Sequence, residues 1–113
     1  MRRKYMNEFI ELCKRIVSAL IDYRDTLKEE YVNDENKIHR SRMDNIPFAS
    51  TFISSITANM SVTAQRIVTV DNDINELVKL ISIGDIPNIQ YFIQNKLMYR
   101  DYLSDAIEQF FYH

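Results

Sequence analysis

The chain has 113 residues, the usual size of one domain, and its share of hydrophobic residues (46%) is too high for a disordered chain. Its formal net charge of −2 does not favour a nucleic-acid-binding protein, which would usually be strongly basic. One glycine and two prolines are too few for the turns of a strand-rich fold. We therefore expect a single all-α domain over residues 1–113.

The single cysteine, Cys13, excludes an intrachain disulfide and a cysteine-based zinc site. Charged residues interrupt the apolar positions after the basic start, so no signal-peptide core is present. No apolar run approaches the roughly 18 residues of a membrane span. These features predict a cytoplasmic protein with no membrane span. The abundance of Ile, Asn, Lys and Tyr indicates an AT-rich genome, such as that of a virus, a phage or a low-GC bacterium.

The first helix is predicted from Arg3 to about Val32, where apolar residues recur with the i, i+3, i+4, i+7 spacing of one helical face. This face contains Met6, Phe9, Ile10, Cys13, Ile16, Val17, Leu20, Tyr23, Leu27 and Tyr31. The segment 33–42 is polar and has no sustained apolar period, so it is predicted to be a loop in which the chain turns back.

A second helix is predicted to begin near Asp44 or Asn45, ahead of Pro47, because proline is tolerated in a first helical turn. Apolar residues then recur every four positions at Phe48, Phe52, Ile56 and Met60. The many Ser and Thr residues here are mediocre helix formers and would also suit a strand, but the four-residue spacing favours a helix. Since Val68-Thr69-Val70 is a poor place for a helix to continue, a break is predicted over 69–72.

A short third helix is predicted from Asp73, whose carboxylate and Glu76 resemble a capping box, to Gly84. The segment Asp85-Ile86-Pro87 then opens a long final helix. Its apolar positions are Ile89, Ile93, Leu97, Leu103, Ile107 and Phe110. Four helices with short connections predict an antiparallel four-helix bundle with up-down-up-down topology.

The residue types of common catalytic sites are scarce. Cys13 lies on the apolar face of the first helix, so we expect a buried core thiol rather than a nucleophile. His39 is placed in the predicted loop and His113 at the chain end, where neither would be held as a catalytic base. The chain is therefore predicted to have no catalytic residues.

Cofactor and metal sites are not predicted either. Gly84 is the only glycine, so glycine-rich phosphate loops are excluded. The segment 71–75 resembles the start of a calcium loop, but Glu76 and Ser82 occupy the positions of its glycine and its bidentate glutamate.

The charges at the two ends of the first helix oppose its macrodipole, because basic residues 2–4 open it and Glu29 and Glu30 close it. One explanation is intramolecular. An antiparallel last helix would bring Asp101, Asp105 and Glu108 to the basic start, and Arg40 and Arg42 would approach Glu29 and Glu30. The other is an antiparallel, two-fold dimer in which the basic start of one chain meets the acidic end of another.

Two groups of residues are candidates for partner binding. Aromatic residues near the final helix are candidate interface anchors, namely Tyr91, Tyr99, Tyr102 and Phe111, although core packing would also explain them. Cationic residues are candidate anion contacts, namely Arg2, Arg3, Lys4, Lys37, His39, Arg40 and Arg42. The run over 37–42 would equally suit a solvated loop.

These features together favour a non-enzymatic protein–protein interaction module without a cofactor, self-associating as a homodimer through its first and last helices. The alternative is a small nucleic-acid-associated or regulatory protein that uses the basic N-terminus and the 37–42 segment.

Overall fold

A computed structural model describes the backbone of residues 2–44 and 49–97, and the side chains of 7–43 and 49–97. This part of the chain contains three helices, α1 (Arg2–Asp44), α2 (Ala49–Ile83) and α3 (Ile86–Asn95), and no strand. The predicted all-α fold is therefore confirmed for the described ranges.

Helices α1 and α2 form a long antiparallel hairpin. The 43 residues of α1 correspond to a length of about 65 Å at 1.5 Å per residue. Two side-chain contacts set its register: Arg24 Nη1 lies 3.0 Å from Asp71 Oδ1, and Asn59 Nδ2 donates a hydrogen bond of 2.9 Å to Asp34 Oδ2. Because the number on α2 falls as the number on α1 rises, the two helices run in opposite directions.

Buried residues at intervals of seven form the seam between the two helices. On α1 these are Cys13, Leu20, Leu27, Asp34 and Ser41, and on α2 they are Thr63, Val70 and Leu77. The positions four residues after them are half-buried or buried, for example Val17 and Ile38 on α1 and Ile74 on α2. This repeat of 3.5 residues is the packing pattern of a coiled coil.

The hydrophobic core occupies one end of the hairpin. It joins residues of α1 up to Leu27, residues of α2 from Val70 onward, and Ile89, Phe92, Ile93 and Leu97 in and just after α3. We call this end, residues 7–27 and 69–97, the base, and the remainder, residues 28–43 and 49–68, the distal half. The buried seam residues of the distal half are polar: Asp34, Ser41 and Thr63.

The predicted four-helix bundle is not confirmed, because the predicted second and third helices are one continuous helix, α2. The predicted break over 69–72 is wrong. Val70 is a fully buried seam residue, and Asp71 receives the hydrogen bond from Arg24. Burial against α1 outweighs the modest helix propensity of this segment. Asp73 is consequently not an N-cap but a buried residue in the middle of α2.

The predicted loop over 33–42 is also wrong, because α1 continues as a helix to Asp44. Polar residues, Asp34 and Ser41, occupy seam positions that the apolar pattern left empty. The continuous helix separates Glu30 from Arg40 by ten residues, about 15 Å along the axis. The predicted approach of Arg40 and Arg42 to Glu29 and Glu30 within one chain is therefore wrong.

The predicted boundary at Gly84 is confirmed. Gly84 has φ of 76°, a conformation that glycine adopts without strain, and its N–H donates to the Leu80 carbonyl at 3.0 Å. Asp85 then caps α3, since its side chain accepts a hydrogen bond from the Asn88 N–H at 3.3 Å.

The final helix described, α3, ends at Asn95 and does not continue through Leu97, as the predicted long helix would require. Leu97 is buried in the core, and its N–H donates to the Phe92 carbonyl at 3.0 Å, five residues back, which ends the regular helical bonding. The predicted apolar positions Leu103, Ile107 and Phe110 lie outside the described residues, as do Asp101, Asp105 and Glu108.

Candidate protein-interaction surface

A polar layer crosses the seam of the distal half. Asp34 accepts the hydrogen bond from Asn59, its other carboxylate oxygen lies 3.9 Å from Lys37 Nζ, and Thr63 Oγ1 donates to the Asn59 carbonyl at 3.0 Å. A polar residue at a seam position typically fixes helix register at a cost in stability. The Asp34–Asn59 hydrogen bond therefore aligns the two helices across a distal seam whose other positions include half-buried apolar residues such as Ile38, Ile56 and Met60.

One side of the hairpin is covered at the base and exposed in the distal half. At the base, Ile16 and Asp73 flank the seam and are nevertheless buried, with exposed fractions of 0% and 7%. On the opposite flank, Lys14 and Val78 are exposed, and Ile21 and Asp71 are only half-buried. A third element must cover the first flank, and the shared core identifies it as α3. In a coiled coil, residues seven positions apart lie on the same side of the helix. Residues at multiples of seven from Ile16 on α1, or from Asp73 on α2, therefore lie on the side of the hairpin that α3 covers at the base.

We call the distal continuation of this side the open face. It contains exposed residues of both helices: Glu30, Asn33, Lys37 and Arg40 on α1, and Phe52, Ser55, Asn59, Val62 and Arg66 on α2. Its two large apolar side chains, Phe52 and Val62, are each 47% exposed. The open face is thus a two-helix surface with its large apolar groups on α2 and most of its charges on α1.

The two helices contribute differently to the electrostatics of the open face. Residues 49–65 of α2 include no Asp, Glu, Lys or Arg. On α1, Glu30 is followed by Lys37 and Arg40, so the sign of the charge reverses along the helix. None of Glu30, Arg40 and Arg66 forms an ion pair with another residue of the described ranges.

Only one of the four predicted aromatic anchors is described. Tyr91 on α3 is 55% exposed, and Lys96 Nζ lies 5.8 Å from the centre of its ring. Tyr99, Tyr102 and Phe111 lie outside the described residues. The sequence pattern does not identify Phe52 and Val62 as contact residues, because Phe52 fits an apolar repeat that is typical of a core.

The predicted anion contacts are spread along and around α1. Arg2, Arg3 and Lys4 lie in its first turns, although their side chains are not described. Lys37 and Arg40, three residues apart, lie on one side of the seam positions Ile38 and Ser41, and His39 and Arg42 lie on the other side. Lys37 also pairs with Asp34. This distribution does not form one continuous cationic stripe.

Cys13 is a buried core thiol, as predicted. Its side chain has no exposed surface, and burial raises the pKa of the thiol to about 11. The calcium-like segment 71–75 is helical, and Asp71 binds Arg24. Within residues 7–43 and 49–97, no group of three or more His, Cys, Asp or Glu residues could hold a metal ion.

The described helices do not include a membrane span, since none of them combines the length and the apolar character that crossing a bilayer requires. No protein-family model, curated protein or solved structure matches the chain.

Proposed function

We propose that this chain is a non-enzymatic protein–protein interaction module that self-associates through the open face of its distal half. The observation that carries the proposal is the exposure of Phe52 and Val62 on the side of the hairpin that α3 covers only at the base. Two helices alone leave such a face in water, and a second pair of helices would bury it in the manner of a four-helix bundle.

A second copy of this chain is the partner that the charges favour. In a two-fold interface each surface meets its own copy, so a patch of one charge sign would repel itself. The uncharged stretch over 49–65 avoids that repulsion, and the depletion of charge is typical of the centre of an interface. On α1, charges of both signs can pair between copies.

Other function classes have weaker support. Catalysis by Cys13 would require an accessible thiolate, whereas the thiol is buried and its pKa is raised. Nucleic-acid binding through Lys37, His39, Arg40 and Arg42 would benefit from one cationic surface, whereas these residues lie on two sides of α1.

Sedimentation equilibrium of the full chain tests the proposal. Concentrations from about 1 μM to about 1 mM cover the range of weak and moderate dimers. The wild type should dimerise, and the Phe52→Ser, Val62→Ser double variant should weaken the dimer by about tenfold or more, about 1.4 kcal/mol, because it removes the apolar groups of the interface.

The matched control is Val68→Ser with Val78→Ser. These valines are also ten residues apart on α2 and similarly exposed, at 59% and 44%, but they lie on the opposite side of the helix. The control should dimerise like the wild type, and circular dichroism should show equal helix content for all three proteins. A wild type that remains monomeric near 1 mM, or a control as weakened as the Phe52 and Val62 variant, would contradict the proposal.

A further inference from the structure

The charges on α1 define the orientation in which two copies would meet. Glu30 and Arg40 lie on the open face, ten residues apart, and have opposite signs. A two-fold axis across α1 at their midpoint, residue 35, would place Glu30 of each copy opposite Arg40 of the other. The α1 helices would then be antiparallel, and both contacts would be attractive.

Residues of α2 lead to the same axis independently. Phe52 and Arg66 lie on the open face, and their midpoint is Asn59. The hydrogen bond between Asp34 and Asn59 shows that residues 34 and 59 lie at the same level of the hairpin. An axis at this level would therefore also place Phe52 of each copy opposite Arg66 of the other. A guanidinium stacked on an aromatic ring is a favourable contact.

The parallel arrangement matches fewer of these groups. A parallel two-fold packing of the open faces would place α1 of one copy over α2 of the other. Arg40 would then meet the uncharged stretch over 49–65, and its charge would be desolvated without compensation, whereas only Glu30 would lie near an opposite charge, Arg66. The antiparallel arrangement pairs both Glu30 and Arg40 with opposite charges on α1, and on α2 it places Arg66 against Phe52 and most of the uncharged stretch against its own copy.

From this geometry we infer that two copies of the chain pack their distal halves face to face and antiparallel, about an axis at the level of the Asp34–Asn59 hydrogen bond, with Glu30 of each copy paired to Arg40 of the other. The inference rests on the proposed self-association and specifies its orientation and its principal charge pairs. The result is an intermolecular four-helix arrangement in which the two bases point away from each other.

A charge-exchange experiment on the full chain tests this orientation. Glu30→Arg places two arginines at each contact, and Arg40→Glu places two glutamates there. Each variant alone should show a dimer dissociation constant about tenfold higher than that of the wild type. An equimolar mixture of the two variants should restore wild-type affinity, because a contact between opposite charges is then again available. The double variant Glu30→Arg, Arg40→Glu should also dimerise like the wild type.

The control variants are Glu29→Arg and Arg42→Glu. They make the same charge changes one or two residues away but off the open face, so they should dimerise like the wild type. Increasing the salt concentration to about 1 M should reduce the differences among all variants.

The outcomes separate the orientation from the proposed function. If the wild type dimerises but the single reversals have no effect, or if their mixture does not restore affinity, the antiparallel orientation is overturned while self-association stands. If the wild type does not dimerise, the proposed function fails and this inference fails with it.

Discussion

At the level of single residues, Cys13 combines a seam position, complete burial and a thiol whose pKa is raised to about 11. In the unfolded chain the thiol titrates near 9.0. Well below that pH the thiol is neutral in both states, and ionisation does not affect stability. Between pH 9.0 and about 11 it ionises mainly in the unfolded state, so the free energy of unfolding falls as pH rises.

We predict that this ionisation lowers the free energy of unfolding by about 2 kcal/mol between pH 9.0 and about 11. One titrating group changes that free energy by at most about 1.4 kcal/mol per pH unit. Urea unfolding of the wild type and of Cys13→Ala over this range measures the effect. Because both proteins share all other titrating groups, the difference in their slopes isolates the thiol. Equal slopes would show that Cys13 is accessible to water.

Asp34 explains why the apolar pattern does not predict half of the hairpin. Asp34 occupies the next seam position of α1 after Cys13, Leu20 and Leu27, but it is a charged residue. Ser41, at the following seam position, is also polar. A search for apolar periodicity therefore ends near Val32. The carboxylate of Asp34 is tolerated at the seam because the side chain of Asn59, 25 residues away in the chain, donates a hydrogen bond to it from the other helix.

At the level of helices, the continuity of α1 through the predicted loop has a direct test at Asn36, which is exposed and lies inside that segment. Asn36→Pro should lower the free energy of unfolding by about 3 kcal/mol or more, because proline removes a helical hydrogen bond and clashes with the preceding turn. Asn36→Ala should instead raise it by about 0.5 kcal/mol, since alanine has the higher helix propensity.

Urea denaturation followed by circular dichroism measures both changes. A flexible loop at 33–42 would tolerate proline at little cost, so a loss below about 1 kcal/mol would argue against a continuous α1.

At the scale of the whole described structure, the hairpin is elongated. Its principal extents are 67 × 19 × 18 Å, and its radius of gyration is 18.9 Å, whereas a compact domain of this length would have a value of about 13 Å. Within residues 2–44 and 49–97, the buried core lies at the base and the distal half consists of two helices, which accounts for the long shape.

The antiparallel dimer predicts a larger change in length than in width. The distance from the start of α1 to residue 35 is about 50 Å. A dimer whose two copies overlap only at their distal halves would therefore be about 100 Å long. Small-angle X-ray scattering should therefore show a maximum dimension that rises from near the 67 Å extent of one hairpin when dilute to about 100 Å when concentrated. A dimer that keeps the length of the monomer would indicate side-by-side packing along the whole hairpin.

Three features can be predicted from the amino-acid sequence alone: the helical class, the buried state of Cys13, and the turn at Gly84 and Asp85. They depend on local propensity, on one apolar face and on short-range capping, all of which can be recognised within a few residues. The continuity of α1 and α2 and the existence of the open face follow instead from tertiary packing. The physical reason is that seam burial and the Asp34–Asn59 hydrogen bond join residues far apart in the chain, and such long-range contacts override weak local signals.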